Sequence, residues 1–398
     1  MSSLISVEQA VTLLRKNRFS RQTERVALTE ALGRRLAQPV IAHVAKPPLP
    51  MSAMDGYAVR LSDVHTSGAR LKLIGESPAG RPFSGCVRSG TAVRIFTGAV
   101  VPDGADHIVM QENAERDGDD VICLQADDAP RHIRAAGIDF GLDDTLIPAG
   151  TVLEPAHLSI AAAGNNATVN VEARLRVGLL SNGDELRRPG SDLAPGEIIN
   201  ANPYGLAGMI ERWGGEPVLL GTAGDTIESI QAHIDAASVD ILVPIGGASV
   251  GDHDHMHQAF SERGFEPVFQ KVAVRPGKPT WFSRTEDRLV LGLPGNPASA
   301  LVCAHLFLTP LLGDDWRYRL TPAKLMRGID ANGPREHFMR ARLEISDEGE
   351  LMIDPAPSQD SSLLRTFAHY NALLRRLPGE TAAESDARVQ VLPILPIL

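Results

Sequence analysis

The chain has 398 residues, of which 43% are hydrophobic and 22% are charged, and its formal net charge at pH 7 is −10. This length corresponds to roughly two to four domains, and the composition is typical of a globular protein. The acidic balance argues against nucleic acid or an anionic membrane as the main partner, because either would repel such a surface. A local basic pocket for a small anion is compatible with it.

The first predicted elements are helices. Residues 6–17 place apolar side chains at helical spacing, and Ser6 with Gln9 matches the capping-box pattern. We predict a second short helix over residues 22–34, ending near Gly33. The apolar residues near the start are periodic rather than contiguous, so they do not resemble a signal peptide.

Neither the cysteines nor the apolar runs suggest an oxidising compartment or a membrane. The three cysteines, Cys86, Cys123 and Cys303, are scattered and form no CxxC pair, which argues against a disulfide framework or a zinc knuckle. The longest apolar run, residues 298–312, is too short for a bilayer span, which needs roughly 20 residues. The sequence therefore predicts a cytoplasmic protein without a membrane partner.

The remaining segments differ in texture. Residues 45–140 hold short β-like runs separated by Gly, Pro and Asp, which is typical of a small β-rich domain. Residues 174–322 alternate apolar strands with helices, and this order indicates a doubly wound parallel sheet. Within this segment Asn202 is predicted to cap one helix and Asp225 another. Residues 323–398 return to β-like texture and predict a small C-terminal β domain.

Acidic residues follow the first three strands of the α/β segment. They are Asp184 and Glu185 after the first strand, Asp225 after the second, and Asp252 with Asp254 after the third. Ligands bind beyond the carboxyl ends of parallel strands, so these side chains are expected at one edge of the sheet. A single acid could serve only as a helix cap, and Asp225 fits that role. Acids at three strand ends favour a divalent-metal site, with Mg²⁺ as the cation.

The turn after the third strand contains glycines and a hydroxyl that suit a phosphate group: Gly246, Gly247, Ser249 and Gly251. Backbone N–H groups at a strand-to-helix turn attract phosphate, although such a turn can also be purely structural. The neighbouring His253, His255 and His257 would bind zinc only if they lay on one face of a strand. The strand is predicted to end at Ile245, so we expect these histidines to be exposed and incidental.

Opposite charge follows in the segment FQKVAVRPGKP, which contains Lys271, Arg275 and Lys278. These residues could form a solvated basic face, but a basic cluster beside glycine turns in an acidic chain favours a small-anion site. The segment LPGNPASA adds a rigid turn in which Pro297 is well placed to begin a helix. Metal-binding acids, anion-binding bases and phosphate-suited turns together predict phosphoryl or phosphoanhydride chemistry.

Six motifs, in order along nearly the whole chain, resemble those of one enzyme family. They are MDGYAVR at 54–60, RIFTGAVVPDGADHIVMQE at 94–112, GDEL at 183–186, GGASVGD at 246–252, VRPGKP at 274–279 and GLPGNPASA at 292–300. The family is that of the molybdopterin molybdenumtransferases, which carry out the metal-insertion step of molybdenum cofactor synthesis. The E domain of gephyrin is a relative. The GGxSVG motif alone is shared with the molybdopterin adenylyltransferases.

The resemblance implies an α/β multidomain fold with four domains. They are an elongated linker and dimerisation domain (1–44 with 141–173), a β-rich domain bearing MDGYA and RIFTGA (45–140), a central doubly wound α/β domain of the molybdopterin-binding type (174–322), and a C-terminal β-barrel-like domain (323–398). It also implies a homodimer with shared active sites. The α/β domain of one subunit would face the MDGYA-bearing domain of the other.

The resemblance further implies the reaction and its components. The substrates would be adenylyl-molybdopterin and molybdate, with Mg²⁺ as the cofactor. Cleavage of the phosphoanhydride would release AMP while molybdenum enters the dithiolene. The molybdopterin adenylyltransferase, molybdoenzymes and cofactor-carrier proteins are the partners expected of such an enzyme.

Roles can be carried over residue by residue. The catalytic residues would be Asp55, Thr97, Glu185, Asp225 and Asp254, of which Asp55 and Thr97 would reach the partner's active site. The metal ligands would be Asp184, Glu185, Asp225, Asp252 and Asp254. The substrate-binding residues would be Gly183, Gly246, Gly247, Ser249, Gly251, Lys271, Arg275, Lys278, Pro294, Asn296, Pro297, Arg335 and Ser362.

The chain departs from the family pattern at three positions. Asn182 stands where Thr is usual, Arg275 where Lys is usual, and Ile138 where an acid is usual. Arginine keeps the charge of lysine but presents a planar fork of donors. Two other functions remain open: a molybdopterin adenylyltransferase, which would match only the α/β domain, and a non-catalytic molybdopterin-binding or scaffold paralogue, which would be expected to have lost its carboxylates.

Overall fold

The computed structural model describes residues 4–246 and 255–396. The chain divides into two compact units, one formed by Met1–Arg21 with Arg174–Leu398 and the other by Gln22–Ala173. Each cluster of buried apolar side chains lies within one unit or the other, so each unit has hydrophobic cores of its own. In the described part of the chain no helix combines the length and the apolar character required to cross a bilayer.

The first helix, Val7–Asn17, begins at the predicted capping box. The Ser6 hydroxyl accepts from the Gln9 backbone N–H at 3.1 Å, and the Ser6 N–H donates to the Gln9 side chain at 2.9 Å. Its buried face includes Val11 and Leu14, which share a core with the α/β domain. Residues 1–21 therefore group with the α/β domain, whereas the sequence-based boundary assigned residues 1–44 to the linker domain.

The predicted second helix over residues 22–34 is wrong. The segment forms the strand Thr23–Ala27, which pairs antiparallel with Thr168–Glu172, and a single 3₁₀ turn at Leu28–Glu30. The pairing satisfies the backbone and buries Val26 in a core with residues from the other end of the unit. Tertiary pairing thus overrides the local helical pattern.

The unit Gln22–Ala173 is mainly β-structure. Its six-stranded sheet contains, in spatial order, His107–Met110, Gly56–Val59, Thr91–Ile95, Ala69–Ser77, Asp120–Cys123 and Ala114–Asp117. Smaller two-stranded pairs join Val40–Ile41 to Thr145–Ile147 and Met51–Ser52 to Ile133–Arg134. The remaining elements are the helix Pro155–Ala163 and the 3₁₀ turns Leu61–Asp63 and Gln111–Asn113.

The α/β domain contains the predicted doubly wound sheet. Its strands lie in the order Glu216–Ala223, Arg176–Asn182, Ile241–Ile245, Leu289–Gly292, Trp281–Arg284 and Glu266–Phe269. The first four are parallel, Trp281–Arg284 pairs antiparallel with the fourth, and Glu266–Phe269 pairs antiparallel with Trp281–Arg284 at the edge. The helices are Asn202–Arg212, Ile227–Ala236, His255–Glu262 and Pro297–Cys303, the last continuing through the π-helical Ala304–Leu308 to Thr309–Leu311.

Alternating strand residues supply two separate cores on the two faces of this sheet. Leu179 packs with Leu206 of one helix, and Leu180 packs with Ile230 of another. This alternation is what a parallel sheet covered by helices on both faces requires.

Two predicted helix caps differ in detail. Asn202 is the first residue inside its helix rather than the cap, and its amide donates to the Gly295 carbonyl at 2.7 Å. The cap of the next helix is Thr226, which accepts from the Ser229 N–H at 3.2 Å, rather than Asp225. The Asp225 carboxylate is therefore not used as a helix cap.

The C-terminal domain is a closed five-stranded barrel. The strands follow around the barrel as Glu336–Ile345, Leu351–Pro355, Thr321–Leu325, Arg388–Pro393 and Ala372–Arg376, which returns to Glu336–Ile345. The short strand Val274–Arg275 from the α/β domain adds to the barrel strand Glu336–Ile345 in parallel. On the outside, Phe338, Leu373 and Leu392 join the α/β core. The helix Leu364–His369 and the 3₁₀ turn Trp316–Arg319 complete the unit.

Candidate active site

A cavity of about 610 Å³ opens at the carboxyl ends of the strands Arg176–Asn182 and Ile241–Ile245. This is where a ligand is expected in a doubly wound sheet. The predicted site residues that line it are Glu185, Gly246, Pro294, Asn296, Pro297 and Ser362. Five further predicted residues, Gly247, Ser249, Gly251, Asp252 and Asp254, lie outside the described residues.

Glycines allow the strand-end turns to approach each other. Gly183 has a φ of +148° and Gly246 a φ of +93°, and residues other than glycine rarely adopt such values. A Cβ atom built on Gly246 would lie 3.2 Å from the Asn182 carbonyl, and one built on Gly295 would lie 3.3 Å from the Gly246 Cα. The turns after the first and third strands and the LPGNP turn therefore converge on the cavity.

The carboxylates of the first two strand ends lie together. The Asn182 amide donates to the Asp225 carboxylate, and the Asp225 backbone N–H donates to the Asp184 carboxylate at 3.4 Å. The Glu185 carboxylate lies against Gly183, in the space that a Cβ there would occupy. Carboxylate and amide oxygens are ligands suited to a hard divalent cation. The described residues contain no group of three or more His, Cys, Asp or Glu placed to hold a metal, and the acids of the third strand end lie outside them.

Asn182 was noted in the sequence only as a departure from the family pattern. In the structure its side chain links the first strand end to the acid of the second, which assigns it a positioning role. The spacing of the two residues along the chain gives no signal of this contact, because it depends on two parallel strands being neighbours.

Arg187 was missed by sequence reasoning. Its guanidinium donates to the Asp184 carbonyl at 2.8 Å and forms an ion pair with Glu197 at 2.5 Å. The Ala194 N–H, and after it Arg187, lowers the pKa of Glu197. The strands Leu186–Arg187 and Ile198–Ile199 form a short parallel pair beside this ion pair. Asn200 and Asn202, which follow the second strand, line the cavity.

Two buried polar atoms of the cavity lining have no hydrogen-bond partner within the described chain. They are the Ser181 Oγ and the Asn202 Oδ1. The Asn202 amide nitrogen already donates to Gly295, which fixes the orientation of the side chain and leaves its oxygen as the unpaired acceptor. Leaving a buried polar group without a partner costs about 1–3 kcal/mol, so the cavity is adapted to polar occupants.

The basic residues predicted for this site do not line the cavity together. Pro279 lines it and is preceded by the exposed Lys278. Lys271 is half-buried, and its carbonyl accepts from the Ile5 N–H at 3.2 Å. Arg275 lines a different cavity, in the barrel. Arg335 donates to the Val274 carbonyl at 3.2 Å rather than lining the cavity.

His255 and His257, two of the three histidines after the third strand, contact protein groups. The His255 Nδ1 lies 2.8 Å from the Asp225 carbonyl oxygen, and the His257 ring lies 4.3 Å from the Trp281 ring. His253 lies outside the described residues.

Asp55 and Thr97 belong to the other unit and contact each other. Both the backbone N–H and the hydroxyl of Thr97 donate to one Asp55 carboxylate oxygen at 2.7 Å. These two bonds, with the charge of Arg94 as a smaller contribution, lower the pKa of Asp55. Arg94 lies over the Tyr57 and Phe96 rings, with its guanidinium carbon 5.0 and 4.9 Å from the ring centres. Thr97 therefore holds the Asp55 carboxylate in its ionised form. That the two residues complete the active site of a partner subunit stays a prediction.

Three family models match successive parts of the chain. Residues 5–165 match the MoeA N-terminal region (domain I and II), residues 178–314 the probable molybdopterin binding domain, and residues 322–394 the MoeA C-terminal region (domain IV). Two structures of the molybdopterin biosynthesis MoeA protein of Pyrococcus horikoshii cover 99% and 98% of this chain, and it covers 100% and 99% of theirs. Their TM-scores are 0.86 and 0.80, at 27% and 26% identity. The protein is thus of the MoeA class, and its predicted fold is confirmed.

Curated relatives carry the identification further. The molybdopterin molybdenumtransferase of Nostoc sp. is 35% identical over 94% of this chain and 89% of its own length. The molybdopterin molybdenumtransferase of Haemophilus influenzae is 34% identical over 93% of this chain and 94% of its own length. Molybdopterin molybdenumtransferase 2 of Mycobacterium tuberculosis is 38% identical over 88% and 89%. The chain belongs to the molybdopterin molybdenumtransferase family.

Proposed function

We propose that this protein inserts molybdenum into molybdopterin, using adenylyl-molybdopterin and molybdate as substrates and Mg²⁺ as cofactor. The observation that carries the proposal is the cavity at the strand ends, where Glu185 and the linked Asp184 and Asp225 meet a wall of converging glycine turns. In this reaction an oxygen of water or of molybdate attacks the phosphoanhydride of the adenylylated substrate, the bond to the adenylyl group breaks and AMP leaves. The two dithiolene sulfurs then bind molybdenum in place of two molybdate oxygens, which leave as water after protonation.

The acids of the strand ends would hold the metal. Asp184, Glu185 and Asp225 supply oxygen ligands from described residues, and Asp252 and Asp254 would supply more. A bound Mg²⁺ would neutralise charge on the phosphoanhydride as it breaks. Asn182 would hold the Asp225 carboxylate in place through its amide.

The polar wall of the cavity would hold the organic substrate. The backbone at Gly246, with Gly247, Ser249 and Gly251 beyond it, would bind the terminal phosphate of molybdopterin. Asn296 and Ser362 also line the cavity, and the Asn296 amide donates to the neighbouring Ser361 hydroxyl at 3.0 Å. Lys271 and Lys278 would add positive charge for molybdate and phosphate.

We further propose a cytoplasmic homodimer with shared sites, in which Asp55 and Thr97 of one subunit complete the active site of the other. The support is that Asp55 is held ionised by two donors from Thr97, a surface residue, in the unit that bears the MDGYA motif. The expected interaction partners are the molybdopterin adenylyltransferase that supplies the substrate and the molybdoenzymes or carriers that receive the cofactor.

A single-turnover assay tests the proposal. Adenylyl-molybdopterin, Mg²⁺ and molybdate are mixed with wild type, Glu185→Gln or Asp254→Ala, and AMP and active cofactor are measured. Loss of a catalytic carboxylate should slow molybdate-dependent AMP release by about a hundredfold or more. Glu211→Gln, an exposed acid on the helix Asn202–Arg212, is the matched control and should behave as wild type.

The alternatives give different results in the same assay. Adenylylation of molybdopterin from ATP without molybdenum insertion would favour the adenylyltransferase. Binding of adenylyl-molybdopterin without AMP release would favour a scaffold or carrier and would rule out the catalytic proposal. The match of the family over nearly the whole chain, rather than over the α/β domain alone, favours the molybdenumtransferase.

A further inference from the structure

The turn that carries the first two acids of the candidate active site is held by the arginine that follows it. We call residues 183–186 the acid turn. The Arg187 Nη1 donates to the Asp184 carbonyl at 2.8 Å and to the Leu186 carbonyl at 3.0 Å. The guanidinium therefore folds back over the turn and joins the carbonyl groups of the two residues that flank Glu185.

The other two carbonyl groups of the acid turn are also bonded. The Gly183 carbonyl accepts from the Leu186 N–H at 3.2 Å, and the Glu185 carbonyl accepts from the Ile198 N–H at 2.9 Å. Each of the four carbonyl oxygens thus accepts a hydrogen bond, and Arg187 supplies two of the four donors. Because a turn that contains glycine has wide backbone freedom, these bonds restrict the directions in which its acidic side chains point.

Arg187 is itself held from the opposite side. Its Nη2 forms an ion pair with one carboxylate oxygen of Glu197 at 2.5 Å, and the other oxygen accepts from the Ala194 N–H at 2.8 Å. Within the described chain the ion-pair partner of Arg187 is Glu197 rather than an acid of the acid turn. The carboxylates of Asp184 and Glu185 are therefore not neutralised by the arginine that holds their backbone.

The ion pair contributes little to stability by itself. The side chains of Arg187 and Glu197 are 40% and 20% exposed, and water screens the attraction between charges that are this accessible. The directed hydrogen bonds from one rigid guanidinium to two carbonyls and a carboxylate are the more specific feature. They define a geometry, and this geometry belongs to the turn that supplies Asp184 and Glu185.

We infer that Arg187 is a positioning residue, which holds the acid turn in the shape in which Asp184 and Glu185 bind a divalent cation. The inference rests on the metal-binding part of the proposed function. Groups that orient metal ligands without touching the metal typically change metal affinity by about tenfold to a hundredfold when they are removed. The charge of Arg187 acts in the opposite direction, because a positive group beside a cation site weakens binding.

Mn²⁺ binding to the full chain tests the inference without substrate or turnover. Mn²⁺ accepts the same oxygen ligands as Mg²⁺, and electron paramagnetic resonance measures the free ion. Wild type should bind Mn²⁺, and Glu185→Gln should weaken binding and so assign it to this site. Arg187→Gln should weaken binding by about tenfold through loss of ligand orientation. Loss of the positive charge alone would strengthen it, so the two effects have opposite signs.

Two further variants and a stability measurement separate positioning from folding. Arg187→Lys keeps the charge but not the planar fork, so it should recover only part of the affinity. Glu197→Gln keeps the arginine but removes the charge that orients it, and it should weaken Mn²⁺ binding less than Arg187→Gln does. Thermal unfolding of each variant should stay close to that of wild type, because the ion pair is exposed.

The matched control is Arg176→Gln in the same domain. Arg176 also forms an ion pair with a glutamate, Glu216, at 3.3 Å, and it also donates to a backbone carbonyl, that of Ser238. It is the first residue of the strand Arg176–Asn182, and the acid turn follows the last, roughly 20 Å away along the strand. Its substitution removes the same charge and should leave the Mn²⁺ affinity unchanged.

The outcomes distinguish this inference from the proposed function. Equal or tighter Mn²⁺ binding in Arg187→Gln overturns the inference and leaves the proposed metal site intact. Absence of Mn²⁺ binding in wild type, or equal binding in Glu185→Gln, contradicts the metal site and the inference with it. If Arg187→Gln does not fold, Arg187→Lys and Glu197→Gln decide the matter, and wild-type affinity in both overturns the inference.

Discussion

Two carboxylates predicted to act in one reaction are held in different ways. Asp55 accepts two hydrogen bonds from a single neighbour, the backbone and the side chain of Thr97. Asp225 instead accepts from the amide of Asn182, at the end of an adjacent parallel strand. The first carboxylate is held by two donors of one residue across an antiparallel strand pair, whereas the second is held by a side-chain amide across two parallel strand ends. Changes near the strand ends should therefore disturb metal binding, and changes near Asp55 should disturb protonation.

Asn182→Ala is expected to have the largest effect. Removing a group that orients a metal ligand typically reduces metal affinity by about tenfold to a hundredfold. The Mg²⁺ concentration for half-maximal AMP release should rise by that factor, with little change in rate at saturating Mg²⁺. Asn182→Thr, which restores the usual family residue, should lose less, and Asn170→Ala in the other unit should lose nothing. An unchanged Mg²⁺ requirement in Asn182→Ala would show that Asp225 does not need its neighbour.

Gly183→Ala should have an intermediate effect, through both strain and displacement. Gly183 has a φ of +148°, and a Cβ there would enter the space of the Glu185 carboxylate. Gly221 has a φ of +92° with nothing within 4 Å of a built Cβ, so Gly221→Ala is the matched control for strain alone. Each change should cost roughly 1–2 kcal/mol of stability. Only Gly183→Ala should also slow AMP release, by about tenfold, because it moves the Glu185 carboxylate that we propose to be catalytic. Equal activity in the two variants would contradict the position assigned to Glu185.

Thr97→Val should have the smallest effect, on protonation. It removes the hydroxyl donor and keeps the backbone donor, so the pKa of Asp55 should rise toward its ordinary value without reaching it. The acid limb of the activity profile should then move to higher pH. The stability from this lowered pKa is present above the unfolded-state value of about 3.9 and is lost as pH falls through the folded-state value. Carboxylate NMR would measure the change, with Thr66→Val as control. If the pKa of Asp55 were the same in Thr97→Val as in wild type, the Thr97 hydroxyl would not contribute to lowering it.

The fold was predicted best from the sequence where an element depends on local contacts or on a regular alternation of strands and helices. The Ser6–Gln9 capping box and the strand-to-helix alternation after residue 174 both predicted elements that the structure contains. The segment 22–34 was predicted wrongly because its partner strand, Thr168–Glu172, lies far along the chain. No helical or strand period within a short window contains that information.

The candidate site was predictable in outline but not in its contacts. Parallel strand order brings the residues after each strand to one edge, which is why Glu185 and Gly246 both line the cavity. The position of Arg275 could not be predicted from the sequence, because the short strand Val274–Arg275 pairs with a barrel strand and not with the α/β sheet. The Arg187–Glu197 pair was missed because ion pairs across a loop have no spacing rule.

The placement of the first helix has a consequence for synthesis on the ribosome. Val7–Asn17 emerges early, but the core that buries its apolar face includes Leu306 and Phe307. The inserted unit Gln22–Ala173 has cores of its own, and its two ends are joined by a hydrogen bond of 2.7 Å from the Ala173 N–H to the Gln22 carbonyl. Domains generally fold as they are completed. The inserted unit can therefore be finished while the first helix still waits, with its apolar face uncovered, for residues about three hundred positions later to leave the exit tunnel.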